Sequence, residues 1–417
     1  MTEPRGAAAS GLLALLGPDA RILFATRVAR MFGYGFLSVV LVIYLATLGL
    51  DGPRIGLLLT LTLVGDAVIS LWLTTHADRV GRRRVLVAGA LLMLFAAVLF
   101  AATSLFPLLL VAATVGVISP SGNEVGPFLA VEQASLSQTV PGRERTRVFG
   151  WYNLVGSLAT ASGALVAGLV AQAFQRAGFA AVDSYRAVVV GYGLVGVGLA
   201  LLFARLSSAV EVERPAEASI AGRLGLHRSR GVVLRLSALF SLDAFAGGFV
   251  MQSLIAYWFH VRFGVEPAAL GGIFFGANVL AGFSALAAAR MAARFGLIET
   301  MVYTHIPSNV LLILVPLMPT LPLAALVLLA RFSISQMDVP TRQSYTMAVV
   351  DPDERSAAAG VTGIARSVGA AVSPSLATPL VAVPGLASLP FLIAGGLKIG
   401  YDLLVWRAFR AVRPKDD

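Results

Sequence analysis

Read in a window of about twenty residues, the chain resolves into apolar stretches of membrane-spanning length separated by short polar intervals. They fall near 22–48, 54–75, 85–104, 107–137, 147–172 and 186–206, and again near 232–260, 267–290, 298–318, 322–349, 357–382 and 388–409. Each predicts a helix, because a spanning segment has to satisfy its backbone hydrogen bonds internally. The longest polar interval, Ser207 to Gly231 with Glu211, Glu213, Pro215 and Glu217, divides the pattern into two sets of six. The expected organisation is therefore a helical bundle over 1–206, a linker over 207–231 and a second bundle over 232–417.

Composition points to the same solvent. A chain that is 57% hydrophobic and 13% charged, with mean hydropathy +0.83, carries about half the charge of a soluble domain. The net charge of +10 is not read as nucleic-acid binding, because the positive residues lie in short loops between apolar runs and act as topology determinants. With the amino terminus inside, the cytoplasmic loops hold Arg79, Arg82, Arg83, Arg84, Arg143, Arg145, Arg147, Arg214, Arg223, Arg228, Arg230, Arg290, Arg294 and Arg355, against Arg54, Arg176, Arg186 and Arg262 outside. Both termini are then cytoplasmic. No cysteine is present, which closes disulfide, thiolate-metal and cysteine-nucleophile chemistry. Lysine occurs only at 398 and 415, a usage that suggests a GC-rich bacterial genome and an inner-membrane location. The stretch Gly11–Gly17 leads into Pro18-Asp19 rather than a small-residue cleavage site, so no cleavable signal peptide is expected.

The densest polar cluster is Ala77-Asp78-Arg79-Val80-Gly81-Arg82-Arg83-Arg84, between the second and third stretches. A carboxylate, a glycine turn and basic residues in this order resemble the loop between helices 2 and 3 of the major facilitator superfamily, Gly-x-Leu-Ala-Asp-Arg-x-Gly-Arg-Arg. The match runs from Ala77 to Arg83, with Thr74 and His76 where the family has Gly and Leu. The resemblance implies an all-α fold of twelve transmembrane helices in two pseudo-symmetric six-helix bundles that rock around a midplane site. It also implies that Asp78, Arg79, Gly81, Arg82 and Arg83 control the conformational cycle, the carboxylate capping a helix end across the bundle interface.

Internal repetition supports two related halves. A shift of 210 positions superposes Glu144-Arg145 on Glu354-Arg355, Gly150 on Gly360 and Gln133 on Gln343, and a shift of 213 superposes Gly35-Phe36 on Gly248-Phe249 and Tyr44 on Tyr257. The counterpart of the basic loop, around Arg290 and Arg294-Phe295-Gly296, has lost its acidic residue.

Ionisable side chains inside spans are costly and mark functional positions. Those identified are Arg27 and Arg30 (span 1), Asp66 (span 2), Glu124 and Glu132 (span 4), Asp243 (span 7), and Arg331, Asp338 and Arg342 (span 10). All but Asp66 fall on helices 1, 4, 7 and 10, which line the cavity in the fold that the resemblance implies. The repeat superposes Arg30 on Asp243 and Glu132 on Arg342, so each half carries one cation and one anion with signs exchanged. Two pairings follow: Arg30 with Glu132 and Asp243 with Arg342 inside each half, or Glu132 with Arg342 and Arg30 with Asp243 across the halves as a cytoplasmic gate. Static pairs that only neutralise buried charge are the bland form of either.

On a continuous helix, Arg331, Asp338 and Arg342 share one face, and Arg331 lies near the midplane as a substrate or counter-charge residue. Asp338 and Arg342, one turn apart, also suit a local pair. Ser119 to Pro127 concentrates helix breakers in span 4 and predicts local unwinding, where Asn123, Glu124 and freed carbonyls form a polar site. Asp66 suits a proton carrier or a bond to a neighbouring helix. His305 reads as a structural histidine. Gly156, Gly163 and Gly168 resemble the glycine-rich signature of drug antiporters but lack its Gly-Pro pair, and Tyr257-Trp258 and Trp406 read as interface anchors.

The expected function is a secondary transporter rather than an enzyme, a multi-pass monomer moving a small organic solute by alternating access. Without a Gly-x-x-x-x-Gly-Lys-Ser/Thr loop, the driving force is an ion or substrate gradient. Proton-coupled efflux is the first reading, since Asp66, Glu124 and Asp338 supply buried carboxylates and protons are a common choice in the family. An organic-anion importer or exchanger, motivated by Arg27, Arg30 and Arg331, is the alternative. A receptor or lipid scramblase on the same fold is the non-transport one. Neither cofactor nor metal is expected.

Overall fold

The computed structural model describes residues 17–139, 145–211, 228–351, 354–383 and 385–410, and they are almost wholly helical. In the first half, α1 (Pro18–Ser38) and α2 (Leu41–Thr47) are followed by α3 (Gly52–Val80), α4 (Arg82–Ala102), α5 (Phe106–Val115), α6 (Phe128–Thr139), α7 (Arg145–Arg176) and α8 (Ala181–Ala204). The second half runs α9 (Arg230–Gly248), α10 (Gln252–Phe263), α11 (Pro267–Phe295), α12 (Leu297–Leu314), α13 (Leu321–Phe332), α14 (Asp338–Ala348), α15 (Arg355–Ala382) and α16 (Leu389–Phe409). Among the described residues, eight helical segments are long and apolar enough to cross a bilayer. A ninth is α1 with α2 if that pair, bent by 42°, is one span. Large apolar side chains such as Val68, Leu194, Leu201, Leu326 and Val368 point outward, the pattern of a protein solvated by lipid rather than water.

Four of the stretches read as single spans are each two helices, the first and fourth of each half. α1 and α2 part at Val39-Val40, α9 and α10 at Phe249 to Met251, α5 and α6 at Gly116 to Pro127, and α13 and α14 at Ser333 to Met337. The last break corrects the expectation of one charged face along span 10. Pro340 has no N–H for the carbonyl of Gln336 and its ring crowds that carbonyl, so α14 begins afresh and Arg331 shares no continuous helix with Asp338 and Arg342.

The repeat is visible in the backbone at the basic turns. α3 meets α4 at Gly81 (φ +106°) and α11 meets α12 at Gly296 (φ +95°), and each glycine N–H donates to a carbonyl four residues back, Ala77 or Ala292, at 2.9 Å. Positive φ here strains any side chain, so the turn has persisted where the acidic residue has not. Elsewhere helix starts follow local rules: the Asp51 carboxylate accepts from Arg54 N–H at 2.9 Å at the start of α3.

Within the first half α1 packs on α7 and α8, and α4 on α8; within the second, α9 packs on α15 and α16, and α12 on α16. The halves meet along α7 with α11, α3 with α15, and α2 with α10. Gly168 lies against Pro267 and Gly271, Gly52 against Pro379, and Gly56 against Pro374 and Ser375, leaving no room for a Cβ. Hydrogen bonds that join the halves are Gln252 Nε2 to Ser38 Oγ at 2.8 Å, Thr60 Oγ1 with Ser375 Oγ at 2.8 Å, Ser253 N–H to Pro120 O at 3.1 Å and Ala268 N–H to Gln172 Oε1 at 3.4 Å. These junctions lie from mid-helix to the end away from the Gly81 and Gly296 turns, so the molecule is sealed at the end remote from the arginine-rich loops.

Candidate functional site

In the first half, Arg27 and Arg30 project from one face of α1. Arg30 is fully buried and holds Glu132 of α6 through a two-pronged contact, Nη1 to Oε1 at 2.7 Å and Nη2 to Oε2 at 2.8 Å. Such a fork is the strongest geometry available to an arginine and a carboxylate. Thr26 Oγ1 donates to Glu132 Oε1 at 3.1 Å, and the Tyr152 hydroxyl of α7 donates to Oε2, so a carboxylate that is 0% exposed is satisfied on both oxygens. Glu124, in the broken segment, lies 2.8 Å from Arg30 and pairs with Arg27. Gly156 of α7 has no side chain because the Arg27 guanidinium occupies that space, a packing role for one of the three span-5 glycines. Gly163 admits the backbone of α1 at Phe32, and Gly168 admits α11.

The break between α5 and α6 is stitched from outside. Asp66 Oδ1 of α3 accepts the Gly126 N–H at 2.6 Å and the Ser70 hydroxyl at 3.2 Å, and the Tyr34 hydroxyl donates to Val125 O at 3.0 Å. Of the two readings of Asp66, the structure contains the bond to a neighbouring segment. Asn123 differs from expectation: it is exposed, and only its backbone is engaged, through Ser119 Oγ to Asn123 O at 2.6 Å and Asn123 N–H to Ser121 Oγ at 3.3 Å. Glu124 turns to the arginines and Asn123 does not join it.

In the second half, Asp243 of α9 is ringed by cations. Oδ1 accepts from Lys398 Nζ of α16 at 2.5 Å and lies 4.0 Å from His305 Nε2 of α12. Oδ2 accepts from Arg342 of α14 at 3.2 Å and from Arg366 of α15 at 3.3 Å. Arg342 also donates to Asp338 at 2.9 Å, one turn away. His305 Nδ1 lies 2.8 Å from Asp402 Oδ1, and Asn309 Nδ2 donates to Asp402 Oδ2 at 3.1 Å. Two expectations are corrected. Buried charge is not confined to spans 1, 4, 7 and 10 with Asp66, since Lys398 and Asp402 are buried on α16 with the half-exposed Arg366 of α15 beside them; and His305 is not alone but part of the cluster. The i, i+4 pair Lys398 and Asp402 within an apolar run was the available signal.

Of the two pairings for the sign-exchanged charges, the molecule has the one inside each half. Glu132 and Arg342 do not meet across the halves: Glu132 is saturated by Thr26, Arg30 and Tyr152, and Arg342 Nη1 is engaged by Asp243 and Asp338. Arg30 and Asp243 are likewise held apart by these partners. Arg331 stands outside both clusters. It makes no ion pair among the described residues, its Nε is buried without a partner, and its guanidinium lies 5.0 Å from the Phe332 ring.

At the basic loop, Asp78 lies in the last turns of α3 and its side chain is outside the described residues, as are Glu144 and residues 212–227 of the linker. A different carboxylate caps the helix start beside it. Glu211, just after α8, accepts the Arg82 N–H at 2.6 Å and the Arg83 N–H at 3.1 Å at the amino terminus of α4. Glu354 does the same for α9, accepting from Arg228 and Ser229 N–H at 2.9 and 2.8 Å. Both use the positive end of a helix dipole. A Cβ at Gly81 would sit 3.3 Å from Glu211 Oε1 and crowd this cap. Arg79 is exposed.

The sequence profile of the Major Facilitator Superfamily matches residues 23–374. An uncharacterized membrane protein of Saccharomyces cerevisiae, YJR124C, is 30% identical over 427 residues, covering 95% of each chain. The quinolone resistance protein NorA of Staphylococcus aureus is 24% identical over 147 residues, 35% of this chain and 37% of that one. Among solved structures, a single-substitution mutant of the nucleoside transporter NupG superposes with a TM-score of 0.72 at 14% identity, over 94% of this chain and 99% of that one.

Proposed function

The chain belongs to the Major Facilitator Superfamily, and from that premise we propose that it is a proton-coupled exporter of a small organic solute, working by alternating access in a bacterial inner membrane. The observation that carries the reading is the division of the molecule into a sealed end and two charge clusters. The seal is made of glycine contacts and single hydrogen bonds that can part, whereas among the described residues the buried ion networks lie within each half. Strong networks inside the halves and weak seams between them suit bodies that rock without deforming. The partial likeness to NorA, a quinolone resistance protein, supports export, and the arginine-for-lysine usage supports the bacterial location.

A second reading, exchange or import of an organic anion, is favoured by Arg331. A half-buried arginine that makes no ion pair among the described residues and whose Nε is buried without a partner is a ready counter-charge for a carboxylate or phosphate.

Reconstitution of the full chain in liposomes with a trapped pH indicator separates these. A panel of organic cations, organic anions and nucleosides is added outside, and internal pH and probe are followed together. Proton movement that accompanies one probe class and collapses with a protonophore supports coupled transport. Exchange of an anion with no proton movement favours the second reading. Scrambling of a fluorescent phospholipid without passage of any probe defeats both.

A further inference from the structure

The proposed transport reading does not need the charges on α12 and α16, yet the second half buries His305, Lys398 and Asp402 there, with the half-exposed Arg366 of α15 beside them. Counted by direct contact, Asp243, Asp338 and Asp402 face Lys398, Arg342 and Arg366. Three carboxylates against three cations leave His305 as the group whose protonation decides the balance. Histidine is the side chain that changes charge nearest to physiological pH.

Geometry gives that proton a place and a consequence. With Asp402 ionised, the neutral imidazole donates its Nδ1–H to Asp402 Oδ1 at 2.8 Å, leaving the Nε2 lone pair 4.0 Å from Asp243 Oδ1. That same oxygen is the acceptor for Lys398 Nζ at 2.5 Å. A proton taken from water onto Nε2 makes an imidazolium, with no other bond broken, and gives Asp243 Oδ1 a second cationic donor. It competes directly with Lys398. Asp243 lies six residues before the break at Phe249 to Met251 that joins α9 to α10, and α10 carries Gln252, whose side-chain amide crosses the seam to Ser38.

We propose that His305 and Asp402 form a proton-binding site of the second half, between α12 and α16, and that Asp243 passes its state to α9 by exchanging Lys398 for His305. The inference rests on the proton coupling proposed above. The groups that face the ring are Asp402 and Tyr401 from α16 and Asp243 from α9, with Lys398 of α16, Arg342 and Asp338 of α14 and Arg366 of α15 acting through Asp243. Asn309, one turn along α12, holds the other oxygen of Asp402. Arg331 of α13 and Arg290 and Arg294 of α11 have no contact with it among the described residues. Both His305 and Asp402 are buried, so proton exchange with water requires a conformational opening.

The chain has no cysteine, so a pair introduced at the exposed ends of α3 and α11, Val80→Cys and Phe295→Cys, takes spin labels at two defined points on opposite halves. In nanodiscs of the full chain, the label distance should change with pH, and that change should be lost in His305→Gln and in Asp402→Asn but kept in His76→Gln. Histidine NMR on the chain without substitution at 305 reads the charge directly. With four histidines in all, the His305 resonance is the one that survives replacement of His76, His227 and His260 by Gln, and its chemical shift should change over the pH range where the labels move. A distance that still follows pH in both variants overturns the site while leaving proton coupling intact. A His305 that keeps one charge state across the transition overturns it even if neither variant folds. Proton-free solute movement in the liposome assay defeats the coupling reading separately.

Discussion

At the scale of single residues, the two clusters differ in what they tolerate. Glu132 fills every acceptor position with Arg30, Thr26 and Tyr152. Glu132→Gln therefore leaves Arg30 buried against a neutral amide, and removal of one partner of a buried pair costs about 3–5 kcal/mol. The expected outcome is a marked fall in the melting temperature of the detergent-solubilised chain. Exchanging partners, Arg30→Glu with Glu132→Arg, should recover part of it, whereas Glu132→Arg with Arg342→Glu should not. Recovery by the second exchange alone would show that the halves pair their charges in another state. The four residues were legible in the sequence as a sign-exchanged repeat, but the pairing was not. Repeat spacing places charges at equivalent heights without saying whether a side chain turns inward or across, and that was decided by Tyr152 and Thr26, which carry no charge and left no signal. Arg331 is the complementary case. Arg331→Gln should weaken solute binding by about tenfold to a hundredfold if it meets an anion, from about 1.5–3 kcal/mol of charge-assisted hydrogen bonding. Arg331→Lys should be intermediate if the contact uses the planar fork. Equal affinity in all three, by equilibrium binding of the transported probe, removes Arg331 from the site.

At the scale of elements, the breaks in four helices set where polar atoms are available. In the stretch Ser119 to Pro127 glycine and proline announce the break, whereas Ser333 to Met337 carries no such signal of its own. There the only local cue was Pro340, and a proline inside a long apolar run reads equally well as a kink. The break between α5 and α6 depends on Asp66, whose carboxylate takes the Gly126 N–H. Asp66→Asn keeps a carbonyl oxygen in place, so the fold should hold and melting should change little, while Asp66→Leu strands the amide and should cost about 1–3 kcal/mol. If Asp66→Asn also abolishes proton movement in liposomes, the residue carries a proton as well as the turn. The basic loop follows the same logic. The capping role expected of Asp78 has a structural counterpart in Glu211, which reaches α4 from the linker end. A linker carboxylate cannot be assigned to a helix start from sequence, because 129 positions separate Glu211 from Arg82. Glu211→Gln should lower stability by up to about 2 kcal/mol with solute affinity unchanged, as measured by melting and by binding of the same preparation.

At the scale of the whole molecule, what distinguishes a rocking transporter from a rigid bundle is the nature of the seam between its halves. The seam here is made by small residues at the end away from the arginine-rich loops: Gly168 against Pro267 and Gly271, Gly52 and Gly56 against Pro374, Ser375 and Pro379. Among the described residues few hydrogen bonds reinforce it. This is the packing by which helices associate in lipid, where close approach rather than burial of apolar surface supplies the attraction. A side chain in such a seam acts as a wedge. Gly168→Leu has its Cβ directed at Pro267 O and Gly271 Cα, and Gly56→Val at Pro374 O and Ser375 Cα, all of them backbone atoms that cannot rotate away. Each substitution should disfavour the sealed far end while leaving both buried clusters intact, since neither glycine touches them. If the halves rock as bodies, opening one end closes the other, and spin labels on Val80→Cys and Phe295→Cys at the arginine-rich end should come closer in both variants. A shift in occupancy of tenfold needs only about 1.4 kcal/mol of bias, which one wedged side chain supplies. Should the far end open with no change in label distance, the two ends move independently, and the seam is a local gate on a fixed frame rather than one face of a two-body motion.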